Sequence, residues 1–457
     1  MPIQTKLPPE APPSPPWHRW LRHVDDLAAA IGLRAGQPIP PAVDEHARLI
    51  LLDTLGCAFA GRTASEVAAL EHEAARREPG PFRFPGGPDL GLRPAVQLLA
   101  IGPTWHEACE GHAHAHGRPG IATIAALLPL ALVRGASLGE LMDALALGYE
   151  VGARAGGWLR IRPGLHVDGN WPALGVAAGV ARLIGLDAPA TMRAVNIAAC
   201  QLPASLYLPI RTGRSVRNTY LAHSASLGLD AALAAQAGFD APPDALACYA
   251  EEHCQATIEP LPPPDAHLIL DAYLKPFAAV RHVHYGAIAA QRIRARLGGD
   301  TAGIRGIVLE VYEEATIYCD NPRPATLLAA QFSLTFGVAA MLRTGAVDAT
   351  TYEPAVFDDH ELRRLESLVE VRVDPELTGL RQRGARLTVA TDAARLTERV
   401  AHDDPALLPT PAQARDKFVR NLVGSLDDER ARAFFDAMRA APRHEGLDDL
   451  WRRLSAA

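Results

Sequence analysis

Residues 107–120 read EACEGHAHAHGRPG: two carboxylates, three histidines at every second position, then an exit rich in glycine and proline. Histidine titrates near neutral pH and is a common metal ligand, so the run suits proton transfer or metal binding. Three further stretches set polar residues beside glycine or proline next to apolar segments. GLHVDGNWPALG (164–175) carries His166 and Asp168, and RTGRSVRNTY (211–220) carries Arg211, Arg214 and Arg217. LKPFAAVRHVHYG (274–286) carries Lys275, Arg281, His282 and His284. Singly, a histidine at a helix end or an arginine in a loop is more often structural or solvated. Asp168 and Asn170 also have the residue type of helix N-caps. Lys275, between Leu274 and Pro276, is harder to dismiss, because a lysine in an apolar junction needs an anionic partner. The case for function rests on the set.

The alternation of His112, His114 and His116 matches the way some metal-dependent hydrolases begin their site. Against that, AVQLLAIGPTWHEACEG ahead of it reads as helix and not as strand, and no HExxH motif occurs. A metal-dependent hydrolase is the competing reading from another class. The expected site holds no metal.

Positioning such residues needs a sizeable scaffold, and 457 residues with 48% hydrophobic content supply a large core and two domains. A net charge of −7 argues against a nucleic-acid binder. Six cysteines without CxxC pairs fit free thiols in a reducing compartment. The start of the chain has no apolar signal-like region, and no apolar run is long enough to span a bilayer. The expectation is a soluble, cytoplasmic protein.

Residues 1–20, rich in proline, read as a flexible tail. ARLILLDTLGCAFAG, with Gly61 as its C-terminal cap, WPALGVAAGVARLIGL (171–186) and YLAHSASLGLDAALAAQAGF (220–239) show helical spacing, with small residues that permit close helix packing. After EPLPPPDAH (259–267), GIRGIVLEVY (303–312), SLVEVRVDP (367–375) and ARLTVATD (385–392) alternate like strands, and 324–345 reads as one long buried helix. The fold expected is mostly α: a helical domain from 21–269 and 405–457, and a smaller α+β lid from 270–404.

Five blocks in order and spacing resemble the MmgE/PrpD family, which includes 2-methylcitrate dehydratase, cis-aconitate decarboxylase and iminodisuccinate epimerase. They are LLDTLGCAFAG (51–61), GVAAGVARLIGLD, HSASLGLDAALAAQAGFDAP, KPFAAVRHVH (275–284) and NPRPATLLAAQFSL (321–334). The resemblance runs from about residue 44 to 440. It implies a helical domain with an α+β lid, a homodimer, and a site between the domains that needs no metal or other cofactor.

By position, the resemblance assigns the first loop's histidine to His116, with His114 as the alternative, and the second loop's to His166. Lys275 is its Lys-Pro lysine, followed by Arg281 and His284. Arg217 stands where the family has lysine, and Tyr318 is its lid tyrosine. Glu110 occupies a place expected to hold Thr or Asp, and Asp168 adds negative charge in a loop that usually continues Thr-Gly-Thr. His116, His166 and Lys275 are thus the expected catalytic residues, and Glu110, Asp168, Arg217, Arg281, His284 and Tyr318 the expected substrate contacts.

The family's reactions share the making or quenching of carbanion character beside a carboxylate. That step needs a base and cationic donors for the developing enediolate. The leading expectation is a hydro-lyase on a small hydroxy-carboxylic acid. A decarboxylase or epimerase of a di- or tricarboxylate follows closely, and a catalytically silent small-molecule binder is a third reading.

Overall fold

The computed structural model describes residues 15–255, 260–319, 321–380, 382–422 and 426–455. Most of the expected tail, and Glu259 at the start of the expected linker, lie outside the described residues. The end of that tail is not extended. Pro16–Trp20 forms a 3-10 turn with Trp20 buried, and the Trp17 and Trp20 indoles donate to Asp244 (2.6 Å) and Glu251 (3.0 Å). Two tryptophans with carboxylate partners outweigh the proline content there.

Helices dominate. Leu138–Trp158 packs along Pro172–Leu183 at very short range, because glycines face each other: a Cβ on Gly175 would meet the Gly148 carbonyl at 2.6 Å. The helix Pro41–Arg62 runs past Gly61, so that residue is not its cap. Gly61 instead lets the helix touch Gly102, whose carbonyl oxygen would lie 2.1 Å from an added Cβ. Near the C-terminus, Pro411–Asn421 begins with a Thr410–Gln413 capping box and packs against Pro41–Arg62. None of the described helices is long and apolar enough to cross a membrane.

The strand-like segments form one four-stranded sheet. Its order is Arg395–Val400, Ala385–Thr391, Ile304–Val311, Val369–Val373; the last pair is parallel and the others antiparallel. A register shift between Ile304 and Gly306 resets the alternation, so that Ile304, Ile307, Leu309 and Val311 are all buried. Helices Arg281–Arg296 and Leu334–Thr344 pack together beside this sheet. The helix expected over 324–345 is broken into Leu327–Gln331 and Leu334–Thr344. Ser333 causes the break: its hydroxyl caps Phe336 N–H (3.2 Å) and donates to the Asn321 carbonyl (2.8 Å).

Candidate active site

Three loops and one short strand bring charged side chains together. His112 and Gly117 bridge across a tight turn, after which Arg118 leads into the helix Pro119–Arg134. The 3-10 turn Val167–Gly169 is fixed by the His166 ring, which caps Asp168 N–H, and by Ser224, whose hydroxyl donates to the Asp168 carbonyl (2.7 Å). Arg217 lies on the 3-10 turn Ser215–Thr219 and donates to the Thr104 carbonyl (3.2 Å). Lys275 follows the strand Ala272–Tyr273, which pairs with Gly111–His112. That pairing ties the Lys275 backbone to the helical part of the molecule, although the sequence placed it with the sheet.

At the centre stands Glu107. Lys275 Nζ donates to its Oε1 (2.6 Å) and to its carbonyl (3.0 Å), while Arg118 Nη1 (2.9 Å) and Arg217 Nη2 share Oε2. Arg118 Nη2 also bonds Asp168, whose Oδ2 lies 3.7 Å from Arg217 Nη2 and 3.8 Å from His166 Nδ1. None of the five charged side chains is more than 6% exposed. Burial alone would raise the Glu107 carboxyl, but Arg118, Arg217 and Lys275 outweigh it and hold it well below the ordinary range. Burial likewise raises Asp168, and Arg118, His166 and Arg217 bring it below its ordinary value. Glu107 also has φ +53°, a left-handed conformation uncommon for a residue with a Cβ, and one that clusters at functional sites.

Burial pushes His166 down to about 4; Asp168 opposes the fall, and Arg217 and Arg118 add to it. The ring is therefore neutral at pH 7. With Nδ1 accepting from Asp168 N–H (3.1 Å), the proton sits on Nε2. The other tautomer would turn Nδ1–H toward Asp168 Oδ2, so Asp168 has a partner for either form.

From His166 a row of rings leads outward. Tyr207 stacks on His166 (5.8 Å), Tyr318 meets Tyr207 (5.8 Å), and His282 stacks on Tyr318 (5.7 Å) while its Nδ1 bonds the Tyr312 hydroxyl. The helical part thus supplies the charges and the sheet-containing part supplies much of the aromatic cover.

Of the expected site residues, His166, Asp168, Arg217 and Lys275 come together here, and Tyr318 joins through Tyr207. His116 does not join them: it sits at the turn with φ +52° and an exposed side chain, and Arg118, two residues on, enters the cluster in its place. Glu110 is fully buried, with its oxygens taken by Gly120 N–H (2.8 Å) and the Tyr149 hydroxyl (3.0 Å). Arg281 lies over the Tyr273 ring (4.1 Å) and donates to the Leu407 carbonyl (3.3 Å). His284 is buried against Phe277 and bonds the Ala279 carbonyl (2.9 Å). Glu107 and Arg118 were missed by sequence reasoning. The signal for Glu107 was Lys275 itself, whose required anion it is.

The alternating histidines do not converge. His112 Nε2 donates to the Leu268 carbonyl (2.8 Å) and Nδ1 accepts from Ala115 N–H (3.2 Å), so both nitrogens are engaged. The His114 ring lies against Gly157, where an added Cβ would meet its Nε2 at 2.1 Å. Among the described residues, no three His, Cys, Asp or Glu side chains group as a metal-ligand set.

An MmgE/PrpD N-terminal domain model matches residues 25–251, and an MmgE/PrpD C-terminal domain model matches residues 277–441. The chain belongs to the MmgE/PrpD family. No curated protein matches it. Lys275 of this MmgE/PrpD chain falls in the stretch between the two matched segments, just ahead of the second. Lys417, from the C-terminal match, braces that stretch: its Nζ bonds Asp53 (2.6 Å), the Lys275 carbonyl (3.0 Å) and the Ala108 carbonyl.

Glu110 gives a prediction of its own. Burial raises its carboxyl from 4.5 to about 7, more than its two hydrogen bonds and Arg118 lower it. The folded state therefore holds this proton more tightly than the unfolded one. Below pH 4.5 the two states are alike. Between pH 4.5 and 7 the unfolded state ionises first, and folding weakens by on the order of 3 kcal/mol. Glu110→Gln keeps the shape and removes the ionisation, so it is expected to raise the denaturation midpoint at pH 8 and change it little at pH 4. Equal shifts at both pH values would contradict this account.

Proposed function

We propose that this protein is a cofactor-independent hydro-lyase acting on a small hydroxy-carboxylic acid. The observation that carries the reading is the buried cluster of Arg118, Arg217 and Lys275 around Glu107 and Asp168, with neutral His166 at its edge. Three cations against two carboxylates leave one positive charge, which attracts and orients a substrate carboxylate. Burial is the larger cause of the low His166 pKa; the bound carboxylate offsets the arginines and so removes their share of the downward push. His166 first passes its proton from Nε2 to Nδ1, which turns to Asp168, and the freed Nε2 takes the proton beside the carboxylate. The electrons left behind delocalise as an enediolate against Lys275 and the arginines. They return to form the carbon–carbon double bond as the carbon–oxygen bond breaks, and the departing hydroxyl leaves as water with a proton from Lys275. The proton on His166 then restores Lys275 through solvent.

In this reading the part of 270–404 beyond Lys275 acts as a lid whose Tyr318 ring, set against Tyr207, helps exclude water, and the protein works as a homodimer. Decarboxylation or epimerisation begins at the same cluster, so the product decides among them. Incubating the protein with a panel of hydroxy-carboxylates, followed by NMR, is expected to show vinylic product signals. Loss of carbon dioxide or inversion without a vinylic signal would replace the hydro-lyase reading by one of its neighbours. Unchanged substrates across the panel would contradict the whole group.

A further inference from the structure

We infer that the substrate of this site carries a single carboxylate together with an apolar or aromatic substituent, and not two or three carboxylates. The inference rests on the lyase reading above and narrows it. Its first support is charge. With Arg118, Arg217 and Lys275 set against Glu107 and Asp168, one substrate carboxylate brings the buried cluster to neutrality, and a second would leave it at −1. An excess charge in a desolvated site is costly unless a cation meets it.

The second support is an orphaned donor. Nε of Arg217 is buried and makes no hydrogen bond among the described residues, whereas its two Nη atoms are engaged by Glu107, Thr104 and Asn218. Nε of Arg34, Arg193, Arg294, Arg415 and Arg439 is left in the same way, but Arg217 alone of these belongs to the buried charge cluster, where an acceptor from outside the chain would complete it. That single donor fits one carboxylate oxygen.

The third support is the outward face. Beyond His166 the row of Tyr207, Tyr318 and His282 is aromatic, and Tyr318 reaches the surface at 43% exposure beside Ile317 at 65%. The arginine next to this row, Arg383, is held by both oxygens of Glu314 (3.1 and 3.2 Å). Arg281 is turned to the Tyr273 ring and the Leu407 carbonyl. The row of rings therefore offers the far end of the substrate an aromatic surface.

The test sets alkyl- and aryl-substituted hydroxy-monocarboxylates against hydroxy-di- and tricarboxylates of similar size. Turnover is followed by NMR and binding by calorimetry. Monocarboxylates are expected to show at least about 100-fold higher kcat/KM, the ratio expected when the competitor leaves one charge unpaired. Asp168→Asn raises the cluster to +2 and is expected to narrow that ratio by about tenfold or more, 1.4 kcal/mol in discrimination. Preferred turnover of di- or tricarboxylates would overturn the inference and leave the lyase reading intact. Preferential binding of monocarboxylates without any turnover would uphold the inference while removing the reading it rests on. Binding of neither class would overturn it too. The wild-type comparison decides the matter even if Asp168→Asn does not fold.

Discussion

Lys275→Ala is expected to lower turnover on an accepted carboxylate by about 10²–10⁴-fold, the range for losing a group that stabilises or transfers a proton in the transition state. The same substitution should leave the fold standing, for a reason visible in the charge count. Without Lys275 the cluster holds two arginines against Glu107 and Asp168 and is neutral, so no buried charge is stranded. His166→Ala should cost turnover in the same range. Circular dichroism and steady-state kinetics on both variants check the pair. Near-normal turnover in both would remove Lys275 and His166 from the mechanism.

Glu107→Gln is expected to act mainly on stability. It takes the central carboxylate from between three cations and leaves only Asp168 opposite them, a net of +2 in a desolvated site. Removing one partner of a buried ion pair typically costs about 3–5 kcal/mol, and here three pairs share that partner. Denaturant unfolding at pH 7 should show a loss of at least that size, with activity falling besides. A change below about 1 kcal/mol would mean that water reaches the cluster freely and screens it. Lys275→Ala and Glu107→Gln thus break the same hydrogen bond with opposite consequences for the fold, which a purely packing-based account would not give.

Much of this architecture was legible in the sequence because it depends on periodicity. Apolar residues at helical spacing around Leu51, Val176 and Leu229, and alternation from Ile304 and Ala385 onward, gave a helical part and a sheet in the right places. What periodicity does not carry was missed. The helix over 324–345 broke at a side-chain hydrogen bond from Ser333. Gly61, taken for a cap, serves close approach to another backbone.

The site divides in the same way. His166, Arg217 and Lys275 were found as residue types in suggestive loops. Which residue of 107–120 turns inward depends on the hairpin between His112 and Gly117, and that turn sends Arg118 inward and His116 out. The helix starting at Arg281 makes the same point. Residues two apart on a helix do not share a face, so His282 meets the aromatic row while His284 is buried against Phe277. The resemblance singles out His284, and the helix turns His282 to the row instead.

The central claim is that the Glu107 cluster binds a substrate carboxylate and that His166 removes the neighbouring proton. Deuterium wash-in tests it most directly: an accepted hydroxy-carboxylate is incubated in deuterated water, and exchange at the carbon beside its carboxylate is followed by NMR. The account predicts enzyme-dependent exchange by the wild-type protein, reduced by about 10²-fold or more in His166→Ala. Turnover without a proton lost from that carbon, or exchange as fast in His166→Ala as in the wild type, would contradict it.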